Sequence, residues 1–414
     1  MIRLFLILIF SWFIMPKAWS QQKVTTYYGP EKKRVKEIYY QKNGVPEGSY
    51  KMFFEDGSLS QKGKFIDGKK EGLFVDYFPT TSSDTLKTTI YKNDLKNGLA
   101  LTYDKEGNLI QKAIFEQGLL EGKVTTYFPD GSLRAITYFS NNLPQGESIQ
   151  YYENGNIQSV THYKQGAMEG EVLTFYPDST LKSKENYKEG LLHGPSINYF
   201  PTGQLREKYL YKDGLPHKDF QIFYENGKLA RKGNYKKGKP HGTFLEFHKN
   251  GQVADSIAYR KGIPEGKHIK YYPSGQISEI NHFNDRGNFQ SQKYYYENGQ
   301  LKKQVSFKQG QPHGVSQSFY PNGEIKENIH FYEGKLDGKY EMFNEQGQVI
   351  LEKTFKNGKQ IGQEKSYFPN GQLKKMVNYQ KGWKNGEYKV FNKAGELVEN
   401  GTYKNNRKVP SLEP

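Results

Sequence analysis

The sequence predicts an all-β protein, an elongated antiparallel β-meander built from about fifteen 24-residue hairpin repeats. Three observations carry this prediction: a glycine that recurs every 24 residues, an aromatic residue five positions after it, and a turn just beyond the aromatic. A fixed period of this length is typical of a protein in which one supersecondary unit is stacked many times. Function is therefore expected on a repeated surface before any single pocket.

The recurring glycine defines the repeat position. From Gly98 to Gly386 the step is 24 residues without a slip, and Lys218 and Gln290 fill the two vacancies. The thirteen glycines at this position are Gly48, Gly72, Gly98, Gly122, Gly146, Gly170, Gly194, Gly242, Gly266, Gly314, Gly338, Gly362 and Gly386.

An aromatic residue stands five positions after the repeat position, at position +5, in all fifteen repeats. Only 35% of the chain is hydrophobic, so these rings are expected to form a spine along the sheet. The set is Phe53, Tyr77, Tyr103, Tyr127, Tyr151, Phe175, Tyr199, Phe223, Phe247, Tyr271, Tyr295, Phe319, Phe343, Tyr367 and Phe391.

The remainder of each repeat reads as a turn, a second strand and a loop. Pro129-Asp130-Gly131 has short hairpin-turn chemistry, because proline presets the first residue and glycine accepts a positive φ. Leu133 and its equivalents begin a strand, and the next connection, Tyr187 to Gly194, is too rich in glycine and charge for a helix. Each repeat is thus two strands of about six to eight residues, which gives roughly thirty strands.

The two ends differ from the array at residues 48–403. Residues 1–20 resemble a secretory signal peptide, with a basic start, an apolar run and the small-x-small sequence Ala18-Trp19-Ser20; an uncleaved anchor is the alternative. Residues 21–47 form an N-terminal capping half-repeat, and residues 404–414 form a polar tail. We therefore expect an exported protein that is periplasmic, on the outer surface or extracellular.

The array is not uniform. Thr80–Asp84 widens one turn, and residues 284–292 disrupt another repeat. Three residues after the repeat position, the earlier repeats carry mostly aliphatic side chains and the later ones Lys, Gln or Glu, so the first two thirds would be covered by curvature or by a partner; simple tolerance of polar residues is the alternative. With no cysteine in the chain, disulfides, zinc thiolates and a cysteine nucleophile are excluded.

The pattern Tyr-Lys-x-Gly-x-x-(Glu/His)-Gly, followed by an aromatic pair and Asn-Gly-x-Leu, resembles the MORN-repeat variant of many bacterial proteins, including the YwqK-like antitoxin grouping. The resemblance covers residues 40–403. It implies a twisted β-meander used for protein or membrane contacts and no catalytic residues. Trp383 is expected in a loop, whereas the eukaryotic form of the repeat often has a Trp in its first strand.

Candidate chemistry is sparse. His193, His217, His241 and His313 precede the repeat position, but neighbouring repeats are about 10 Å apart and ligands of one zinc ion must each lie about 2 Å from it. Acids such as Glu106, Glu153 and Glu297 lie in turns, where a closed catalytic carboxylate pair is not expected. We predict no enzyme and no catalytic residue, cofactor or metal site.

Charge is the bulk property with functional content. The chain has 60 Lys and Arg against 44 Asp and Glu, a net charge of +16. The leading hypothesis is a protein-protein interaction scaffold of the cell envelope with an unknown protein partner. One alternative is a binding module for anionic glycans or lipid headgroups at a membrane surface, with nucleic acid the weakest candidate because of the predicted export; another is an antitoxin or immunity-type protein.

Overall fold

The structure is a computed structural model that describes residues 21–79 and 84–409. All of the regular secondary structure in these ranges is β-strand. The described residues include no helix that could span a membrane. The predicted signal peptide, most of the widened turn at Thr80–Asp84 and residues 410–414 of the predicted tail lie outside the described residues.

The chain divides into two compact units whose boundary lies between Leu191 and Leu192. The strands of unit 1 are β1 (Gln22–Tyr28), β2 (Arg34–Lys42), β3 (Val45–Phe53), β4 (Leu59–Ile66), β5 (Lys69–Lys70), β6 (Gly72–Tyr77), β7 (Thr85–Lys92), β8 (Leu95–Tyr103), β9 (Leu109–Glu116), β10 (Leu119–Leu120), β11 (Gly122–Tyr127), β12 (Leu133–Ser140), β13 (Leu143–Tyr151), β14 (Ile157–Lys164), β15 (Ala167–Met168), β16 (Gly170–Phe175) and β17 (Leu181–Lys188).

Unit 2 begins at the second residue of a strand. Its strands are β18 (Leu191–Tyr199), β19 (Leu205–Lys212), β20 (Leu215–Pro216), β21 (Lys218–Phe223), β22 (Leu229–Lys236), β23 (Lys239–Pro240), β24 (Gly242–Phe247), β25 (Val253–Arg260), β26 (Ile263–Tyr271), β27 (Ile277–Phe283), β28 (Phe289–Tyr295), β29 (Leu301–Lys308), β30 (Gln311–Pro312), β31 (Gly314–Phe319), β32 (Ile325–Tyr332), β33 (Lys335–Phe343), β34 (Val349–Lys356), β35 (Lys359–Tyr367), β36 (Leu373–Gln380), β37 (Trp383–Phe391), β38 (Leu397–Lys404) and β39 (Arg407–Val409).

Within each unit the long strands pair antiparallel with their neighbours in sequence, as in β11 with β12 and β12 with β13. The predicted all-β antiparallel meander is confirmed. The described strands number 39 and not roughly thirty. Six of them are two-residue strands such as β15, which arise where the residue before the repeat position interrupts a longer strand. The last strand, β39, pairs with β38, so strand pairing continues into the segment predicted as a tail.

The repeat position lies in a bulge of the ladder. Between β7 and β8, Thr89 pairs with Ala100 and Tyr91 with Lys96, so β8 advances four residues while β7 advances two. Gly98 occupies this bulge with a φ of 123°, a backbone region that side chains with a Cβ rarely adopt. The period of the sequence is therefore the spacing of one backbone irregularity.

The thirteen glycines at the repeat position all adopt this left-handed conformation, with φ values from 68° to 123°. They include the seven predicted repeat glycines Gly122, Gly170, Gly194, Gly242, Gly266, Gly314 and Gly338. Lys218 takes the same conformation with a φ of 60°, so the bulge survives without glycine there. Gln290 lies within β28 and is not in the left-handed region. Among the described repeats, the one that contains Gln290 therefore has no left-handed residue at the repeat position.

Three of the most buried side chains stand two residues after the repeat position, at position +2. Phe74, Phe220 and Phe244 are 0%, 2% and 3% exposed there, and residues of other sizes fill the same position in other repeats. The partner across the next strand compensates for size: Phe220 faces Gly233, whereas Ser196 faces Tyr209. A Cβ on Gly233 would lie 2.8 Å from the Phe220 ring and 2.7 Å from the Phe244 ring. Large and small residues thus alternate across the core.

The predicted spine aromatics at position +5 lie beside a second, smaller bulge. The ladder shifts register between Thr126 and Tyr127, and at the same place in most other repeats. Most of these rings are half-buried, and Tyr77, 6% exposed, is a fully buried one. The six rings chosen from the sequence as representatives are all half-buried: Tyr127, Tyr151, Tyr199, Tyr271, Phe319 and Tyr367.

Candidate functional site

Each repeat exposes two kinds of connection, and we name the two edges of the sheet after them. The turn edge consists of the turns that follow position +5, such as Pro129-Asp130-Gly131. The loop edge consists of the connections between Tyr-Lys-x-Gly and the next repeat position, such as residues 187–194. Because side chains at these edges are not covered by strands, they are the first places to look for a binding site.

The asparagines of the turn edge form hydrogen bonds within the array. Asn154 Nδ2 donates to the carbonyl of Pro177 in the next repeat at 2.8 Å, and its Oδ1 accepts from the amide of Asn156 at 3.1 Å. Asn250, Asn298 and Asn322 form the same pair of bonds. Both functional atoms of these side chains are therefore used to lock one turn against the next.

A tyrosine ladder joins the repeats just behind the turns. The residue after position +5 donates its hydroxyl hydrogen to the carbonyl of the next position +5 aromatic, 23 residues along, at 2.6–2.9 Å, and Tyr28 of the N-terminal segment makes the same bond over 25 residues. The donors are Tyr28, Tyr152, Tyr224, Tyr272, Tyr296 and Tyr320. The aromatic pair of the sequence motif thus has two roles, since the first ring packs and the second makes a bond between repeats.

The loop edge has its own ladder, and it explains the histidines. Glu169 Oε2 accepts from the amide of Glu189, 20 residues later, at 2.9 Å. His193 Nδ1 and His313 Nδ1 accept at the same place from Asp213 and Glu333, at 3.4 and 3.5 Å. In the described residues no group of three or more His, Cys, Asp or Glu side chains could hold a metal ion. These histidines act as polar loop residues equivalent to glutamate.

The acids considered for hydrolysis are separate from one another. Glu106, Glu153 and Glu297 are all exposed turn residues. Glu153 lines an open cavity of about 610 Å³ on the turn edge of unit 1 and is the one carboxylate among its described lining residues. Glycoside hydrolysis of the usual kind uses two carboxylates that face each other, and the described lining of this cavity does not supply that pair.

The titratable groups with displaced pKa values have structural roles. Burial raises the pKa of Tyr340 to about 12, and its hydroxyl donates to Glu327 Oε1 at 2.6 Å. Tyr367, whose pKa burial also raises to about 12, donates in the same way to Glu352 Oε2 at 2.8 Å. A phenol held neutral and committed as a donor is a positioning group for the sheet and a poor base.

The feature that sequence reasoning missed is a row of exposed aliphatic side chains on the loop edge. In unit 1, Leu95, Leu119, Leu143 and Leu191 are 49%, 40%, 48% and 52% exposed, each as the first residue of its strand. Leu143 packs over the loop of the next repeat, where a Cβ on Gly166 would lie 3.3 Å from its Cδ2. The corresponding signal in the sequence is a leucine three residues before the repeat position, as at Leu95, Leu119, Leu143 and Leu191. It lies within a connection rich in glycine and charge, where an apolar surface is not expected.

Comparison with protein-family models gives one match. The family described as MORN repeat variant matches more than half of the chain, and the matched ranges are residues 46–67, 120–141, 144–165, 168–189, 192–213, 216–237, 264–285, 291–309, 312–331, 336–357, 360–381 and 384–405. No curated protein matches the chain.

The solved structures with a similarity include toxin complexes. The TcdB2-TccC3-Cdc42 complex is 10% identical, with 92% of this chain and 27% of that chain covered and a TM-score of 0.14. The Photorhabdus luminescens Tc holotoxin pore is 12% identical, with 95% and 24% covered and a TM-score of 0.15. The chain spans about a quarter of the length of these structures. At these TM-scores the likeness carries no argument about fold or function.

Proposed function

We propose, from the premise that this chain belongs to the MORN repeat variant family, that it is a non-enzymatic interaction scaffold whose loop edge binds another protein. The observation that supports this proposal is the exposed aliphatic row of unit 1. Leu95, Leu119 and Leu143 occupy one position in three successive repeats and are each 40% or more exposed. Contiguous exposed apolar side chains on a soluble surface are typical of protein interfaces.

The geometry of the row suits an extended partner. Successive repeats lie two strand spacings apart, about 10 Å, so the three leucines offer anchor points at equal intervals. On the described turn edge, Asn154, Asn250 and Asn298 are already bonded within the array and so are not free to bind a partner through their Nδ2 atoms. A partner segment with apolar side chains at matching intervals would bury all three leucines together. Clustered apolar anchors of this kind provide most of the binding energy in protein interfaces.

We place this scaffold in the cell envelope, because residues 1–20 have the composition of a secretory signal. An antitoxin or immunity role, which membership of the YwqK-like grouping would imply, is a narrower version of the same proposal. It requires a tight cognate toxin encoded nearby. Such a toxin would have to bind the same loop edge.

The test is capture of partners from envelope extract by the purified protein at low and high salt. The variant replaces Leu95, Leu119 and Leu143 with Ser together. Capture of a specific protein should persist at high salt and should fall roughly tenfold or more in this variant, since each buried leucine contributes about 1.5–3 kcal/mol.

A matched control exists in unit 2. Gln311, Lys335 and Lys359 occupy the same repeat position without an apolar side chain, and their replacement with Ser should leave capture unchanged. Equal capture by wild type and the leucine variant would contradict the proposal, as would a partner that is released at high salt, because screening weakens ionic contacts far more than apolar ones.

A further inference from the structure

Positive charge is concentrated in one stretch of unit 2. Residues 228–270 contain eleven Lys and Arg and three Asp and Glu, which is half of the net charge of +16 of the chain. Lys236, Lys237 and Lys239 come from one loop, and Arg260 and Lys261 come from the loop of the next repeat. The proposed protein-binding row does not account for this cluster.

Two adjoining cavities lie on the loop edge at this stretch. The first, of about 380 Å³, is lined by Lys236, Lys237, Lys239, His241, Arg260 and Lys261. The second, of about 340 Å³, is lined by Lys212, Asp213, Leu215, Pro216, His217 and Lys237. Lys237 lines both cavities, so they are neighbours on the loop edge, and we call the pair the basic groove.

The positive charge of the basic groove is poorly compensated. Arg260 Nε pairs with Glu265 Oε2 at 2.6 Å, and Asp213 Oδ1 lies 3.2 Å from His193 Nδ1. Lys236, Lys237 and Lys261 form no ion pair in the part of the chain that the structure describes. Several lysines that converge on one cavity repel one another, so an anion bound between them is stabilised.

His241 adds an observation independent of charge. At equivalent positions Glu169 and His193 accept a hydrogen bond from the loop amide 20 residues later. His241 stands at the same repeat position and lines the first cavity, but its buried Nδ1 has no hydrogen-bond partner among the described residues. A buried polar atom without a partner costs free energy, so the loop beside the first cavity lacks the bond between repeats that Glu169 and His193 make.

We propose that the basic groove binds an acidic oligosaccharide, a chain of sugars with carboxylate or sulfate groups. Lys212, Lys236 and Arg260 occupy one position in three successive repeats, about 10 Å apart by strand spacing. This row of cations matches an extended ligand with repeating negative charges. Leu215 and Pro216 give the second cavity an apolar wall for the C–H face of a sugar ring.

The shape of the groove favours this ligand over other anions. A compact anion would fill one cavity and leave the other empty. Single-stranded nucleic acid is held largely by stacking of its bases on exposed aromatic rings, and no Phe, Tyr or Trp lines either cavity among the described residues. The groove therefore offers charge at intervals together with an apolar wall, and no large aromatic platform for bases.

The experiment is calorimetric titration of the purified protein with a hexamer of galacturonate at low and raised salt. The test variant is Lys237→Gln with Lys261→Gln. Gln117, Gln165 and Gln309 already occupy this loop position with φ values of 49°, 50° and 52°, close to the 51° of Lys237 and 53° of Lys261, so the substitution keeps the loop. Affinity should fall roughly tenfold in the variant and should fall with salt.

The controls separate the groove from general charge. Lys293→Gln with Lys303→Gln removes two exposed strand lysines of the same unit and should change affinity by less than about twofold. A galacturonate dimer, which fills one cavity, should bind weakly. The proposal is overturned by equal losses in both variants, by no binding of the hexamer at low salt, or by tighter binding of single-stranded DNA or phosphatidylglycerol vesicles. Loss of protein capture in the leucine variant with hexamer binding intact would separate this groove from the proposed scaffold surface.

Discussion

Units 1 and 2 share a repeat and differ in surface. Up to Leu191 the sequence has 24 basic and 22 acidic residues, whereas from Leu192 onward it has 36 and 22. The loop edge of unit 1 presents leucines at one position of the repeat, whereas the same position in unit 2 mixes the apolar Leu215, Ile263 and Trp383 with Lys239, Gln311, Lys335 and Lys359. The bulge at the repeat position is present in both units.

The face three residues after the repeat position shows the same contrast. Unit 1 has Leu101, Ile149 and Leu173 there. Late in unit 2 a polar ladder replaces them: Gln304 Nε2 donates to Gln317 Oε1 at 2.6 Å, and Gln317 Nε2 donates to Asn328 Oδ1 at 3.1 Å. The polar residues in these repeats are thus bonded across strands and are not simply tolerated. The comparison teaches that one backbone can carry separate surfaces, because the residues that set the backbone are not those that set the surface.

If the backbone is common to both units, equivalent core substitutions should cost the same in each. Phe74 in unit 1 and Phe220 in unit 2 are 0% and 2% exposed at position +2. Replacement of either with Ala should lower the free energy of unfolding by about 3–5 kcal/mol, because it leaves a cavity as well as losing burial. Denaturant unfolding of the two variants provides the measurement.

Tyr199→Ala, at the half-buried position +5, is the control and should cost clearly less than Phe220→Ala. If Tyr199→Ala lowered the free energy of unfolding as much as Phe220→Ala, the main core would lie at position +5, as predicted from the sequence. A cost for Phe74 far below that for Phe220 would break the equivalence of the units.

Two glycines test the alternation of large and small residues. A Cβ on Gly63 would lie 2.5 Å from the Phe74 ring, and one on Gly233 would lie 2.8 Å from the Phe220 ring. Neither residue has a positive φ, so only space opposes a side chain. Gly63→Ala and Gly233→Ala should each cost about 1–3 kcal/mol from overpacking, as measured by thermal unfolding.

Thr161→Ala is the matched control, since Thr161 faces the small Ser148 at the equivalent pair. Its cost should be below about 1 kcal/mol. Two neutral glycine variants would show that the rings have room to move and that size alternation does not hold the core.

The tyrosine ladder should contribute less per residue. Tyr152→Phe in unit 1 and Tyr296→Phe in unit 2 each delete a 2.8 Å bond to the next repeat and keep the ring. Each should cost about 1 kcal/mol, the usual net value of a hydrogen bond. Phe128, Phe200 and Phe368 stand at the same position in other repeats, so the change introduces no new side-chain type. Amide hydrogen exchange in the neighbouring turns should become faster in both variants. Unchanged exchange rates would mean that the tyrosine ladder does not stabilise the contact between repeats.

The loss of stability at alkaline pH should be the smallest of these expected effects and should differ between the units. Burial raises the pKa of Tyr209, Tyr340, Tyr367 and Tyr379 in unit 2 to about 12, from an ordinary value of 10.0. A raised pKa in the folded state means that this stability is fully present below pH 10 and is lost as pH rises towards 12. In unit 1 the shift to about 12 occurs among the described residues at Tyr50.

Denaturant unfolding across this pH range measures the effect. Tyr340→Phe should flatten the loss, whereas Tyr138→Phe, which removes the hydroxyl of a 44% exposed ring, should not. A pH profile identical in all three proteins would rule out titration of Tyr340 as a cause of alkaline instability.

The sequence was sufficient for the strand pattern because the backbone constraints repeat. Gly98 and its equivalents mark a bulge with positive φ, and Pro129-Asp130-Gly131 marks a turn, so both follow from local chemistry. The buried position +2 could not be found in the same way. It holds residues as different as Phe, Ala, Val, Ser, Tyr, His, Gln and Glu, and what fits depends on the residue across the next strand, as with Phe220 opposite Gly233. Such compensation is visible only once the register is known.

The candidate surfaces were only partly predictable for a similar reason. Excess positive charge was evident from composition, but its convergence in the basic groove depends on which loops become neighbours. The asparagines of the turns looked available for a partner. In the structure Asn154 and its equivalents are bonded to the next repeat, 23 residues along, an interaction that no single repeat contains.

The fixed offsets of these ladders bear on how such a gene can change length. The tyrosine and asparagine bonds join residues 23 apart, and the glutamate bonds on the loop edge join residues 20 apart. Deletion or duplication of 24 codons moves each donor to an equivalent acceptor, whereas a change of another size within a strand shifts donors away from their acceptors. Two extra residues between Gly72 and Gly98 are accommodated, since Glu71 Oε2 there accepts from the amide of Asn93, 22 residues later. Unequal recombination between repeats would therefore add or remove whole repeats at little structural cost, and related genes should differ in length by multiples of 72 base pairs, three for each of the 24 residues of the period.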